Sequence, residues 1–158
     1  MCSWSKIIKT KGSNKIIWPF FWIILFFAVD RLAKILSLRF LSDEGVFVIP
    51  NILGLVLERN QGIAYSIPLT GIYLVVVLII IVMALVAVAV KAYRKKEINV
   101  VISIGLIIPG AVSNLFDRLQ YGYVVDMLVL TKWPVFNIAD LMILAGGIWL
   151  IIIYLQKK

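Results

Sequence analysis

From Leu69 to Val90 no charged side chain interrupts the chain. A helix crossing the hydrocarbon core of a bilayer needs roughly 20 mostly apolar residues, and this stretch supplies them. Similar runs cover about Ile16–Leu38, Ile98–Phe116 and Ile138–Leu155. Within a bilayer every backbone N–H and C=O must be paired internally, so such runs specify helices. The composition agrees: 63% of the residues are hydrophobic and 15% charged, against roughly 45–50% and about 25% in soluble domains. No long polar stretch remains for a soluble domain. One membrane domain over residues 1–158 is expected, built as a four-transmembrane-helix bundle.

The basic residues orient the bundle. Lys6, Lys9, Lys11 and Lys15 precede the first span, Lys91, Arg94, Lys95 and Lys96 join the second to the third, and Lys157 and Lys158 close the chain. With four spans these regions share one side, and an excess of Lys and Arg marks the cytoplasm. Both termini are therefore expected inside. The net charge of +8 is read as orientation, with no nucleic-acid partner. The first span with its leading lysines also suits a secretory signal peptide, but Asp30-Arg31 follows where a small-residue cleavage site belongs. Helical pattern then resumes through Leu32, Ile35, Leu36 and Leu38.

The outer connections, about 39–68 and 117–137, carry β-branched and aromatic runs bounded by Gly, Pro and Asn. Gly45–Leu57 and Tyr121–Leu130 read as short strands, so a small extracytoplasmic β-sheet is expected on the outer membrane surface. The helical rise of about 1.5 Å per residue sets depth. Asp30 lies roughly 21 Å along the first span from its inner end, and Asn114 roughly 24 Å along the third. Arg118 follows one turn later, Asp140 opens the fourth span, and Asp126 and Asn60 lie in the outer connections. Three spans and both connections thus bring polar groups to one level, and charged groups at membrane depth commonly mark a functional cavity. Each also has a plain structural account. Asp30 and Lys34 fit an i,i+4 pair, Arg31 can snorkel, Asp140 sits at N3 of a helix capped by Asn137, and Asp117 and Arg118 can pair or face water.

The chain has no histidine and one cysteine, Cys2. That removes Ser-His-Asp and Cys-His catalysis, the HExxH zinc site, an internal disulfide and CxxC metal binding. No metal and no cofactor is expected. Asp126 and Asp140 remain as a carboxylate pair. Two close carboxylates share a proton; one then activates water while the other polarises a carbonyl. Asn114, Asn137 and Arg118 are candidates to orient them. A small polytopic transporter also gathers such residues, but it needs a continuous polar path, and these stop in the outer half. A non-catalytic membrane scaffold is the other alternative.

Five motifs in order carry a resemblance: Asp30-Arg-Leu-Ala-Lys34, Arg59-Asn-Gln-Gly-Ile-Ala-Tyr-Ser66, Gly110-Ala-Val-Ser-Asn-Leu-Phe-Asp-Arg118, Gly122-Tyr-Val-Val-Asp126 and Phe136-Asn-Ile-Ala-Asp140. Over about Trp18–Tyr154 the chain resembles the lipoprotein signal peptidases, the type II signal peptidases of bacteria. The resemblance implies an aspartic endopeptidase of the bacterial cytoplasmic membrane, working at its outer face. Its substrate would be a diacylglyceryl-modified prolipoprotein, cut just before the lipid-modified cysteine. It implies membrane lipids as partners and inhibition by globomycin-type depsipeptides. Asp126 and Asp140 match the catalytic aspartates. Asn60, Gly62, Asn114, Arg118 and Asn137 match residues that line or support the site, and Asp30 and Lys34 match a supporting pair in the first span. The chain departs from the family pattern at Ile63, usually Ala, at Ser113, usually Gly, and at Arg31, often Gln.

Overall fold

The computed structural model describes residues 14–62 and 71–157, with side chains from Trp18 onward in the first helix. Cys2, Lys6, Lys9, Lys11, the Lys15 side chain, Ile63, Ser66, Lys158 and the expected start of the second span at Leu69 lie outside the described residues. The elements run α1 (Asn14–Phe40), β1 (Val46–Ile49), β2 (Leu53–Asn60), α2 (Gly71–Arg94), α3 (Ile98–Tyr121), β3 (Val124–Leu130) and α4 (Ile138–Gln156). Among the described residues, α2, α3 and α4 are long and apolar enough to cross a membrane. The protein is a mostly helical membrane protein with a small antiparallel sheet.

α3 is the hub. It packs against each of the other helices, whereas α2 touches no described element except α3. Glycines permit the closest approach. A Cβ on Gly110 would lie 2.6 Å from the Ala139 carbonyl oxygen of α4, and one on Gly146 would lie 2.6 Å from the Ser103 carbonyl oxygen of α3. Small residues of this kind let membrane helices bring their backbones together. Ile23, Ile102 and Met142, one from each of α1, α3 and α4, form an apolar core cluster between these helices.

α3 continues past Phe116, where the sequence pattern placed its end, as far as Tyr121. Gly122 stops it at φ +81°, its N–H bonded to the Arg118 carbonyl at 3.1 Å. A left-handed residue just past the last turn is a common helix stop, and glycine takes it without strain. Asp117 and Arg118, expected in the outer connection, are therefore helical. Neighbours on a helix point in different directions, so the two do not pair.

The sheet has the order β1-β2-β3. β2 and β3 pair from Leu53↔Leu130 to Asn60↔Val124, with an irregularity between Leu55 and Glu58. Leu57, Val125 and Met127 bury one face against Ala33, Leu38 and Leu41, which seats the sheet on the end of α1. All four β1 residues, Val46, Phe47, Val48 and Ile49, are exposed. Beyond β3 the chain turns back. Phe136 N donates to the Leu128 carbonyl at 2.9 Å, and Leu128 N donates to the Phe136 carbonyl at 2.8 Å. α4 begins two residues later.

Candidate active site

Asn137 joins the two expected acids. It is the N-cap of α4, its side-chain oxygen taking the Asp140 N–H at 2.9 Å while its own N–H donates to Asp140 Oδ2 at 3.2 Å. This reciprocal capping box is the local structure that Asn-x-x-Asp favours. The same side chain then reaches across the turn, and its Nδ2 donates to Asp126 Oδ1 at 2.6 Å. The capping account of Asp140 and its place in a cluster are thus both realised. Asn114 completes the link: Nδ2 donates to Asp140 Oδ1 at 2.7 Å, and Oδ1 accepts Asn137 Nδ2 at 3.1 Å.

The first outer connection closes another side. Asn60 Nδ2 donates to Asp126 Oδ2 at 3.0 Å, and Asn60 Oδ1 accepts the Gly62 N–H at 3.1 Å. Arg118 Nη2 donates to the Gly62 carbonyl at 3.0 Å and Nη1 to the Asn114 carbonyl at 3.3 Å. Its Nε is buried without an acceptor among the described residues. Burial pushes the Asp126 carboxyl up from its usual 3.8 to about 6, against the lowering effect of Asn60, with the neighbouring Asp140 charge raising it further. A buried carboxyl beside another acid resists ionisation because its charged form is poorly solvated and repelled. Among the described residues no group of three or more Asp, Glu, Cys or His is arranged to hold a metal.

Behind Asn114 lies a buried ionic cluster that sequence reasoning resolved only in part. Asp30 and Lys34 form the expected intrahelical pair, 3.3 Å apart. Both are fully buried, however, and both reach other helices. Asp30 Oδ2 accepts Ser113 Oγ at 2.5 Å, and Lys34 Nζ donates to Asn114 Oδ1 at 2.8 Å. Asp117, expected to pair locally or face water, is fully buried and bonded to Arg31 at 2.5 Å and Lys34 at 2.7 Å. Arg31 does not snorkel. Its guanidinium also bonds Ser113 Oγ at 3.2 Å and lies 4.6 Å from the centre of the Phe116 ring. One signal for Asp117 was present in the sequence: Gly110, Ser113, Asn114, Asp117 and Tyr121 recur at three- and four-residue steps, which puts them on one helix face.

Every residue of the expected set that can be described joins this one network: Asp126, Asp140, Asn60, Gly62, Asn114, Arg118, Asn137, Asp30 and Lys34. Among the buried polar side chains of the described residues, only Ser103 lies toward the other end of α3.

Residues 22–156 match the family model described as Signal peptidase (SPase) II. The chain belongs to the signal peptidase II family. It is similar to proteins named lipoprotein signal peptidase. That of Halothermothrix orenii is 34% identical over 137 residues, covering 86% of this chain and 93% of the relative. That of Caldicellulosiruptor bescii is 36% identical over 143 residues, covering 87% and 91%. That of Syntrophomonas wolfei is 37% identical over 138 residues, covering 85% and 92%. Two solved structures, each described as a bacterial membrane enzyme solved by the in meso method, share the fold. One, at 2.3 Å resolution, has a TM-score of 0.77 at 27% identity, covering 89% of each chain. The other, at 1.9 Å, has a TM-score of 0.75 at 26% identity, covering 90% of this chain and 96% of that one. Membership of the signal peptidase II family, with these apolar helices, makes the protein a multi-pass bacterial membrane peptidase.

Proposed function

We propose that this signal peptidase II family member removes the signal peptide from diacylglyceryl-modified prolipoproteins, as an aspartic endopeptidase with Asp126 and Asp140 as its reacting pair. The observation that carries the proposal is the double grip of Asn137, which bonds both acids and so ties a strand carboxylate to a helix-start carboxylate. The raised Asp126 carboxyl suits a pair that shares a proton near neutrality. In the reaction one ionised carboxylate takes a proton from water as the water oxygen attacks the scissile carbonyl. The other, protonated, donates to that carbonyl oxygen. Collapse of the tetrahedral adduct breaks the C–N bond: the first carboxyl gives its proton to the departing cysteine nitrogen, and a hydroxyl of the adduct returns a proton to the second as the C=O re-forms. Asn114 and Asn137 hold the acids, Asn60 and Gly62 form the facing wall, and the unpartnered Arg118 Nε is available to a substrate carbonyl.

The whole chain acts as one domain, with α1 as a fourth span, both termini in the cytoplasm and the acids at the outer face. The Lys157–Glu97 ion pair, 2.9 Å, joins the end of α4 to the turn between α2 and α3. The lysine-rich regions 91–96 and 157 therefore share one end, opposite the acids, as an excess of inside positive charge requires. The sheet lies on the outer membrane surface with the exposed apolar β1 facing lipid, and it clamps the substrate near its glycerol group. A transporter reading gains no support from the buried polar side chains, which among the described residues form no path toward the lysine-rich end.

Purified protein should cleave a lipidated prolipoprotein, and Asp126→Asn or Asp140→Asn should each abolish turnover while the helical content is kept. Full activity in either variant would sink the assignment. Globomycin is expected to inhibit the wild-type protein, and loss of cleavage on deleting 45–57 is expected if the sheet clamps substrate.

A further inference from the structure

The proposed reaction makes no use of the four charges behind Asn114, of which Asp30, Lys34 and Asp117 are buried and Arg31 is partly so. Two acids, Asp30 and Asp117, face two bases, Arg31 and Lys34, so the cluster balances. Lys34 Nζ sits between the acids, 3.3 Å from Asp30 Oδ2 and 2.7 Å from Asp117 Oδ2. Each acid then holds one backbone N–H on another element. Asp117 Oδ2 accepts the Val125 N–H of β3 at 3.3 Å. Asp30 Oδ1 accepts the Ala139 N–H of α4 at 2.8 Å. Val125 and Ala139 are the residues immediately before Asp126 and Asp140. One ammonium thus joins the anchors of both acids. The same ammonium donates to Asn114 Oδ1, which turns the Asn114 amide so that Nδ2 meets Asp140.

We infer that Asp30, Lys34 and Asp117 are positioning residues that together set the placement of one reacting aspartate against the other, with Lys34 at the centre. The inference rests on Asp126 and Asp140 being the reacting pair. Arg31 supplies the second positive charge, 2.5 Å from Asp117 Oδ1, while Lys34 serves both acids. A purely structural cluster would hold the fold and leave the chemistry of the folded molecules unchanged. A positioning cluster acts on turnover, because a misplacement of about 1 Å can cost roughly 100-fold in rate. It also acts on the acid side of the pH profile. The charged groups around Asp126 are Asp140 from α4, Lys34 from α1, Arg118 from α3 and its cross-strand partner Glu58 from β2. Lys34 favours its ionised form, so losing that charge makes Asp126 harder to ionise.

The test uses the full chain, a diacylglyceryl-modified prolipoprotein and three variants: Asp117→Asn, Lys34→Met and the charge-balanced double Asp30→Asn/Lys34→Met. Wild-type cleavage that is lost in Asp126→Asn and Asp140→Asn establishes the underlying reading first. Failure there overturns that reading and this inference with it. With that in place, the cluster variants are expected to lose about 10- to 100-fold in kcat, with KM within about twofold. The acid limb of kcat should move to higher pH in both variants lacking Lys34. Wild-type kcat and an unmoved acid limb in any folded variant lacking Lys34 would overturn the inference. If the single variants do not fold, the balanced double decides by the same criteria. If it also fails to fold, the cluster is structural and the inference falls.

Discussion

Asp126 accepts two side-chain amides, from Asn137 and Asn60, and still has its carboxyl raised to about 6 by burial. A carboxyl that protonates more readily in the folded chain than in the unfolded one makes the fold bind more protons between about 3.8 and 6. Stability then falls as pH rises through that window, and the loss is complete above it. The cost is on the order of 3 kcal/mol, to be discounted for the part of the group that solvent still reaches. Asp126→Asn cannot ionise and escapes it. Its unfolding temperature relative to wild type should therefore rise from pH 5 to pH 7.5, and a gap that stays flat across that range would contradict the assignment of a buried, reluctant acid. The Asn137–Asp140 cap was legible because its three-residue spacing is local. Ser113 and Arg31 were each legible as a departure from a pattern, but not as partners, because the bond between them spans 82 positions. Asp117 was obscured by Arg118 beside it, since adjacent opposite charges suggest a local pair that helix geometry forbids.

At the scale of elements, the long helices were readable from apolar length, three of them long and apolar enough to cross a membrane, and the small sheet from its β-branched runs. The end of α3 was not, because the apolar run ends before the helix does and the stop is the left-handed Gly122. The α3–α4 contact was hidden for a different reason: Gly110, Gly146 and Gly147 look alike in the sequence, and only the packing separates them. A Cβ on Gly147 meets nothing within 4 Å. Gly147→Ala should therefore be neutral or slightly stabilising, as a glycine-to-alanine change within a helix generally is. Gly146→Ala must push the helices apart and should cost about 1–3 kcal/mol. Gly110→Ala presses on the Ala139 carbonyl, next to Asp140, and should lower kcat as well as stability. Thermal unfolding and cleavage assays on the three variants give the comparison, and equal behaviour of Gly146→Ala and Gly147→Ala would refute the close contact.

For the whole molecule, the proposed orientation makes a direct prediction. In a Cys2→Ser background, Lys132→Cys, at an exposed turn after β3, should react with an impermeant thiol reagent added outside intact cells. Lys95→Cys, in the turn between α2 and α3, should react only after the membrane is opened. The reverse pattern would invert the topology. The turn after β3 carries another consequence. The backbone bonds between Leu128 and Phe136 close the stretch between the two acids into a short staple, so strand and helix start travel together. Asp126 and Asp140 are thus written into one contiguous stretch of the gene, with Asn137 between them. A chain cut at the α2–α3 turn would leave both proposed reacting groups on one fragment and Asp30, Lys34 and Asn60 on the other. Heredity could shuffle the front half of such a protein without ever parting its acids.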